Sequence, residues 1–417
     1  MEKGVLNSCQ LAALDSLKQN QNVFVTGIAG SGKSFLIQHF LQGLDSKECP
    51  VLASTGAAAV LVGGRTFHSF FGLGIMQGGL EATIDRALSN KRVVRRLKKT
   101  KKIVIDEVSM LSGQTLRAAE AIASEARGSE LAWGGIQVIA VGDFAQLPPV
   151  TQSGLRDWAF LDPSWERSRL HYSMLRTSVR TQDAEFLEIL NSVRQGRVDE
   201  EVAAYLDSHV IDAAAQADFE GTRLFPLRET VERFNLTRLE EVAGPLYQFT
   251  TEYFGDERSI ETLKKSGPVP DVLKLKAGAF VMMRQNDPAQ RWVNGTLGQV
   301  ESVNSAQGKL RITLVESGYS VEVERVSFNL LDAEGTEIAS ARNFPVNLAY
   351  ATTIHKSQGM TLDRILVDLR NLWEPGQAYV AMSRVKTGAG LALSGWSRSS
   401  IKMDPAVATF YRELHDF

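Results

Sequence analysis

The sequence predicts an α/β protein with parallel sheets in two regions and a small β-barrel inserted into the second. Three observations carry this. Short apolar runs alternate with helix-patterned stretches over about the first 175 residues, the pattern of a parallel sheet covered on both faces. A glycine-rich octapeptide, Gly27-Ile28-Ala29-Gly30-Ser31-Gly32-Lys33-Ser34, directly follows the first of those runs. Between about Leu263 and Asn343 the texture changes to closely spaced β-rich runs, separated by turn dipeptides such as Asn294-Gly295 and Ser317-Gly318.

The first strand is Val23–Thr26, and the octapeptide behind it matches G-x-x-x-x-G-K-[ST] at every fixed position. Its glycines (Gly27, Gly30 and Gly32) let backbone N–H groups curl round phosphates, and the helical run from Phe35 places a helix N-terminus behind them. Lys33 is expected to reach the terminal phosphates and the Ser34 hydroxyl to ligate Mg²⁺. A nucleoside triphosphate with Mg²⁺ is therefore the expected ligand. The second strand is Val51–Ser54, and Gly72 to Gly79 reads as a loop entering a small insertion. That insertion ends in a basic helix: Lys91, Arg92, Arg95, Arg96, Lys98, Lys99, Lys101 and Lys102 crowd one segment, set against Ile84, Leu88, Val94 and Leu97. Such a run suits a nucleic-acid backbone or a solvated face.

The strand Ile103–Ile105 delivers Asp106 and Glu107 at its end: Asp106 for the Mg²⁺ shell, Glu107 as general base for hydrolysis. The strand Gln137–Val141 leads into Gly142-Asp143-Phe144-Ala145-Gln146-Leu147-Pro148-Pro149, where Gln146 is placed to contact the γ-phosphate and the prolines stiffen the loop. Ligands of such sheets bind at the carboxyl ends of the strands, where these motifs lie. Later come a helix with Phe186, Leu187, Leu190 and Val193 on one face, a strand Thr222–Phe225, and a helix carrying Val231, Phe234, Leu236 and Leu239. The β-rich runs are Ala279–Met283, Gly298–Val303, Leu310–Val315 and Ser320–Val326; Val346–Gln358, Arg364–Leu369 and Gln377–Val385 then resume the α/β rhythm.

With 417 residues, 44% hydrophobic and 23% charged, the chain has the composition of a globular protein of several domains. No apolar stretch approaches a membrane span, and the first residues show neither signal nor transit pattern. Cys9 and Cys49 lack metal-ligand spacing and read as reduced thiols, so a cytoplasmic setting is expected. The net charge of −2 does not by itself announce a nucleic-acid partner.

Taken in order, these motifs resemble the superfamily 1 DNA helicases that move 5′→3′, most closely the Pif-type helicases. The resemblance spans nearly the whole chain. It starts at Leu6-Asn7-Ser8-Cys9-Gln10 and runs through the phosphate loop, Ala53–Ala59, Gly63–Phe70, Asp106–Leu111 and Gly142–Pro149. It ends with Ala351-Thr352-Thr353-Ile354-His355-Lys356-Ser357-Gln358-Gly359 and Gln377–Arg384.

The resemblance implies two RecA-like parallel-sheet domains. The first would cover residues 1–175, with a wedge insertion at 72–99; the second 176–262 and 346–417, with the barrel at 263–345. It implies an ATP-dependent DNA helicase of minimal bacterial or phage-like form, working in replication, repair or recombination. The expected partners are single-stranded DNA and duplexes with a 5′ single-stranded tail. G-quadruplexes and RNA–DNA hybrids also suit the resemblance, and a monomer without membrane attachment is expected. Gln10 would read adenine, Gln358 and Gly359 would couple nucleotide to DNA, and Arg180 and Arg384 would be arginine fingers from the second domain. Thr55, Phe67, His68, His355 and Lys356 would contact DNA, with His68 stacking on a base and most of the phenylalanines around it packing in the core. A RecD-like helicase, or an ATP-switched translocase that displaces proteins without unwinding, remains an alternative. Two departures stand out: Val179-Arg180-Thr181 where the family has Phe-Arg-Gln, and Ser112-Gly113 where the helix after the acid pair usually opens with an acid.

Overall fold

The computed structural model describes residues 5–54, 65–74, 76, 78–149, 156–289, 291–305, 307–331 and 336–415. Two compact units emerge: Met1–Arg180 with Leu330–Ile338 and Pro405–Phe417, and Thr181–Asn329 with Ala339–Asp404.

The first unit is built on a six-stranded sheet of β1 (Val23–Gly27), β2 (Val51–Ala53), β3 (Arg65–Thr66), β4 (Lys102–Asp106), β5 (Gln137–Val141) and β6 (His171–Leu175). The order is β3-β2-β4-β5-β1-β6, and every pairing is parallel. β1 and β5 are buried along their whole length, which is why both read as unbroken apolar runs. The four expected strands form within a residue or two of their expected ends. β3 and β6 were not foreseen, because two residues carry no period and His171-Tyr172 faces solvent.

The insertion holds two helices, Gly79–Ser89 and Lys91–Lys99, where a single basic helix was expected. Asn90 divides them, its side chain accepting from the Arg92 N–H at 3.0 Å. Lys91, Arg92, Arg95, Lys98 and Lys99 are exposed. Arg96 is buried instead, donating to the Phe70 carbonyl at 2.6 and 3.0 Å with its guanidinium 5.0 Å from the Phe70 ring centroid. It belongs to the packing of the insertion, not to its charged face.

The helix Pro405–His415 groups with the first unit, whereas the sequence reading ran the second domain to the chain end. Aromatic packing is the reason. Phe410 stacks on Phe160 (centroids 4.4 Å) and meets Phe144 (5.4 Å) and Phe24 (6.3 Å) edge-on or tilted.

The second unit contains a four-stranded parallel sheet in the order Ala351–Thr353, Thr222–Phe225, Ile365–Leu369, Leu391–Trp396. Its β-rich region forms a five-stranded antiparallel sheet in the order Ser320–Glu324, Lys309–Leu314, Leu297–Asn304, Phe280–Met283, Val346–Leu348. Phe249, Leu273 and Leu275 from a separate two-stranded ribbon share one core with Val281, Val300, Ile312 and Phe344. Burial alternates along Ser320–Glu324, as expected of a half-buried antiparallel strand.

Candidate functional site

β1 hands the chain to the phosphate loop, and the helix Lys33–Leu41 begins at Gly32, whose φ is 80°. Gly32 offers no side-chain acceptor to the first turn, so its N–H groups are available to an anion. Crowding fixes the glycines. A Cβ at Gly27 would sit 2.3 Å from the Leu175 carbonyl oxygen, at Gly30 2.5 Å from Arg180 Cβ, and at Gly32 2.4 Å from Gln10 Nε2. Lys33 Nζ donates to the carbonyls of Gly27 (2.9 Å) and Ile28 (3.2 Å), which holds the ammonium across the loop mouth. The Ser31 hydroxyl is fully buried, with no hydrogen-bond partner among the described residues. A cradle with crowded glycines, an inward lysine and an idle buried hydroxyl fits a triphosphate.

Gln10 is buried and joins the opening helix to this loop. Its Oε1 accepts from the Asn7 N–H at 3.0 Å, completing a capping box, and its Nε2 donates to the Ser31 carbonyl at 3.2 Å.

Asp106 and Glu107 stand at the end of β4, which is separated from β1 by β5 alone. Desolvation pushes the Asp106 carboxyl above the usual range, against the Glu107 N–H, which it accepts at 3.0 Å, and the charge of Lys33. Glu107 adopts φ 51°, ψ 48°. A left-handed conformation at a residue with a side chain is strained, and such strain collects at functional sites. It turns Glu107 away from the strand line that Asp106 continues. Among the described residues no group of three or more His, Cys, Asp and Glu could hold a metal. A Ser34 hydroxyl with one carboxylate suits Mg²⁺, which keeps several waters and leans on substrate phosphates.

Sequence reasoning missed Tyr411. Its hydroxyl donates to Asp143 Oδ1 at 2.9 Å, accepts from the Phe144 N–H at 3.0 Å, and lies 2.9 Å from Thr26 Oγ1. Asp143 in turn accepts from the N–H groups of Ala145 (Oδ1, 3.1 Å) and Gln146 (carbonyl, 3.0 Å). One phenol therefore ties the end of β1 to the turn presenting Gln146, which is itself only 6% exposed. No local pattern could have flagged it, because its partners lie more than 260 residues away.

Arg180 belongs to the first unit, not the second as expected. The N–H groups of Val179 and Arg180 both donate to the Gly30 carbonyl, at 2.8 and 3.2 Å, pinning this segment to the loop. The acid missing at Ser112-Gly113 is supplied in space by Asp157. Its Oδ2 accepts from the Gln114 N–H at 2.9 Å at the start of the helix Gly113–Arg127, while Ser112 caps Thr115 at 3.1 Å.

In the second unit, Ala351–Thr353 ends in a turn carrying His355, Lys356, Ser357, Gln358 and Gly359. Arg384 was expected as an arginine finger, yet it is 2% exposed and its guanidinium is used within this unit. Nε donates to Val380 O (2.7 Å), Nη1 to Ser357 O (3.1 Å) and Met360 O (3.4 Å), and Nη2 to Ser383 Oγ (2.7 Å). It holds the turn's shape from within. Burial lowers the His355 pKa, with Glu374 opposing. Lys356 is exposed, but the protein around its ammonium desolvates it, and Arg228 and Arg284 repel it; Glu232 partly offsets this, and the net direction is down.

Of the other expected DNA contacts, Thr55 lies outside the described residues. Phe67 is 0% exposed and packs on Phe71 (centroids 4.9 Å), so its ring is core and cannot stack on a base. His68 is partly exposed on the same short helix, and burial lowers its pKa.

Comparison with known proteins follows this geometry closely. The model of the PIF1-like helicase family matches residues 5–204, and that of the DNA helicase Pif1 2B domain matches 260–303. The ATP-dependent DNA helicase Pif1 of Bdellovibrio bacteriovorus is 53% identical, over 97% of this chain and 91% of its own. Pif1 from Bacteroides sp in complex with ADP-AlF4 is 28% identical with a TM-score of 0.85, covering 99% of this chain and 97% of that one. Bacteroides Pif1 bound to single-stranded DNA is 27% identical with a TM-score of 0.68, covering 99% and 97%.

Proposed function

We propose that this chain, which belongs to the PIF1-like helicase family, is an ATP-dependent DNA helicase that translocates 5′→3′ on single-stranded DNA and unwinds tailed duplexes. The observation that carries the ATP-driven half is the placement of the Gly27–Ser34 cradle and the Asp106-Glu107 pair at the same end of one parallel sheet. The DNA half is supported by the names and ligands of the relatives and by His68, His355 and Lys356, all at least partly accessible.

In this reading the backbone of Gly30–Ser34 and Lys33 bind the phosphates, and Ser34 and Asp106 hold Mg²⁺. The ion would neutralise charge developing on the phosphoryl oxygens. Glu107, turned off the strand line, accepts the proton of the attacking water. Gln146, fixed through Asp143 and Tyr411, senses the γ-phosphate, and Arg180 faces the same end of the nucleotide across Gly30. Gln10 positions the loop next to the adenine side. Arg384 acts through the turn it shapes, so that Gln358 and Gly359 respond to nucleotide while His355 and Lys356 grip DNA. A site in the cytoplasm suits two free cysteines, one of them buried.

Unwinding assays on 5′-tailed, 3′-tailed and blunt duplexes test this directly. Unwinding of the 5′-tailed substrate alone is expected. Strand-stimulated ATPase without unwinding of any substrate would favour a translocase that displaces proteins, and unwinding from a 3′ tail alone would overturn the polarity. G-quadruplex and RNA–DNA substrates belong in the same series.

A further inference from the structure

Arg284 follows the strand Phe280–Met283 and is 7% exposed. Among the described residues it has no carboxylate partner. Nη1 lies 3.7 Å from Met282 Sδ and 3.9 Å from Met360 Sδ, and the buried Nε has no acceptor among those residues. Thioether sulfur is a weak acceptor, so the guanidinium is enclosed by methionines without a counter-charge. Its charged surroundings are also positive. Arg284 and Arg228 both bear on the ammonium of Lys356, and the neighbouring acid, Glu232, is engaged by Arg228 at 2.6 Å.

An enclosed cation without a partner is unfavourable, and replacing such a group with an apolar one commonly stabilises a protein. The site is well made for an apolar residue. The Met282 and Met360 sulfurs already flank Nη1, and Gly295 packs on Met360 at ordinary van der Waals distance, a Cβ there standing 3.5 Å from the Met360 Cβ. Burial lowers the Arg284 pKa only to about 10, so the charge persists at neutral pH. A charge kept in such a place is neutralised by something outside the fold. The accessible ammonium beside it, Lys356, sits in the turn that presents His355 and Gln358.

We propose that Arg284 and Lys356 form a subsite for one phosphodiester group of a bound nucleic-acid strand, Arg284 supplying the planar fork and Lys356 the point charge. The proposal rests on the reading that this chain binds single-stranded DNA. It assigns a phosphate contact to a residue of the antiparallel region that neither sequence motifs nor the resemblance marked. The thioethers make the pocket selective, because they exclude the water that would otherwise screen the contact.

The test compares wild type, Arg284→Met and Arg284→Lys by titrating a fluorescent oligothymidylate over a range of NaCl concentrations, with thermal unfolding measured in parallel. Arg284→Met is expected to unfold at the wild-type temperature or above, to bind about tenfold more weakly, and to lower the slope of log K against log salt by about 0.7. Arg284→Lys keeps the charge, so it retains the slope while losing affinity through the lost fork. Wild-type affinity and slope in Arg284→Met overturn the proposal, and so does wild-type affinity in Arg284→Lys should the methionine variant not fold. A parallel arm uses inorganic phosphate alone. Phosphate that stabilises wild type but not Arg284→Met, with oligonucleotide binding equal in both, assigns the site to a free anion and likewise overturns it. If wild type itself binds no oligonucleotide, the failure lies in the proposed function instead.

Discussion

The loop after β1 in the first unit and the turn after Ala351–Thr353 in the second use the same materials. Each stands at the carboxyl end of a parallel strand, and each carries a lysine, a serine and a glycine with positive φ: 80° at Gly32 and 75° at Gly359. They spend them differently. In the first loop Ser31 Oγ has no partner among the described residues, and Lys33 rests on loop carbonyls that a phosphate can replace. In the second, Ser357 Oγ donates to Ile354 O at 2.8 Å and Arg384 binds two of the turn's carbonyls from beneath. The glycines differ too. A Cβ at Gly32 would strike Gln10, whereas one at Gly359 would meet nothing within 4 Å. One loop holds its donors in readiness for a ligand; the other commits its serine hydroxyl and two carbonyls to partners within its own unit and offers a platform.

The contrast can be broken most sharply at the first loop. Glu107→Gln should lower ATP turnover about 10²–10⁴-fold while nucleotide still binds, and Lys33→Ala should lower it about 10²–10³-fold with weakened binding. Steady-state ATPase alongside a fluorescent-nucleotide titration separates the two, and normal hydrolysis by Glu107→Gln would remove it as the base. At the platform, Arg384→Ala should cost roughly 3 kcal/mol of stability, from a cavity and orphaned carbonyls together. Denaturant unfolding reads this; a variant as stable as wild type but catalytically dead would restore Arg384 as a finger. Gly359→Ala should cost only about 1–2 kcal/mol, the strain of a left-handed Ala, again by denaturant unfolding. Tyr411→Phe should cost about 1 kcal/mol and slow hydrolysis with little change in nucleotide affinity, if the phenol positions the Gln146 turn. Equal losses in kcat and affinity would point to general loosening.

The smallest effect concerns acid. Burial holds His68 and His355 below the ordinary histidine pKa in the folded state. The unfolded chain therefore binds more protons once pH falls below about 6.5. Their contribution to stability is complete above that value and is lost progressively as pH falls toward the folded pKa values. Unfolding midpoints of His68→Gln and His355→Gln should accordingly depend less on pH than wild type between neutrality and mild acid.

The candidate nucleotide site was legible because its parts are local. The octapeptide, the Asp106-Glu107 pair and Gln146 each follow a strand whose burial forces an apolar run, so periodicity and motif point to one place. The antiparallel region was legible for a similar reason, since its closely spaced β-rich runs are parted by local turns that need glycine. β3, with two residues, and Asn90, which splits the basic helix, fell below the resolution of any pattern.

What the sequence determined by itself was the chemistry of the loop and the order of the sheets, because close backbone approach at Gly27, Gly30 and Gly32 admits no side chain and buried strands admit few polar ones. The tertiary structure alone decided which charged residues face outward. Arg96 was expected on a basic helix face and Arg384 as an arginine finger, and nothing in one dimension marked Arg284; each is buried in its own surroundings: an aromatic and a carbonyl for the first, two thioethers for the second, backbone carbonyls and a serine hydroxyl for the third. It also decided that Tyr411 serves the Gln146 turn and that Asp157 supplies the acid absent at Ser112-Gly113. Such contacts join residues tens to hundreds of positions apart, and the local physics that writes helices and strands into a sequence carries no record of them.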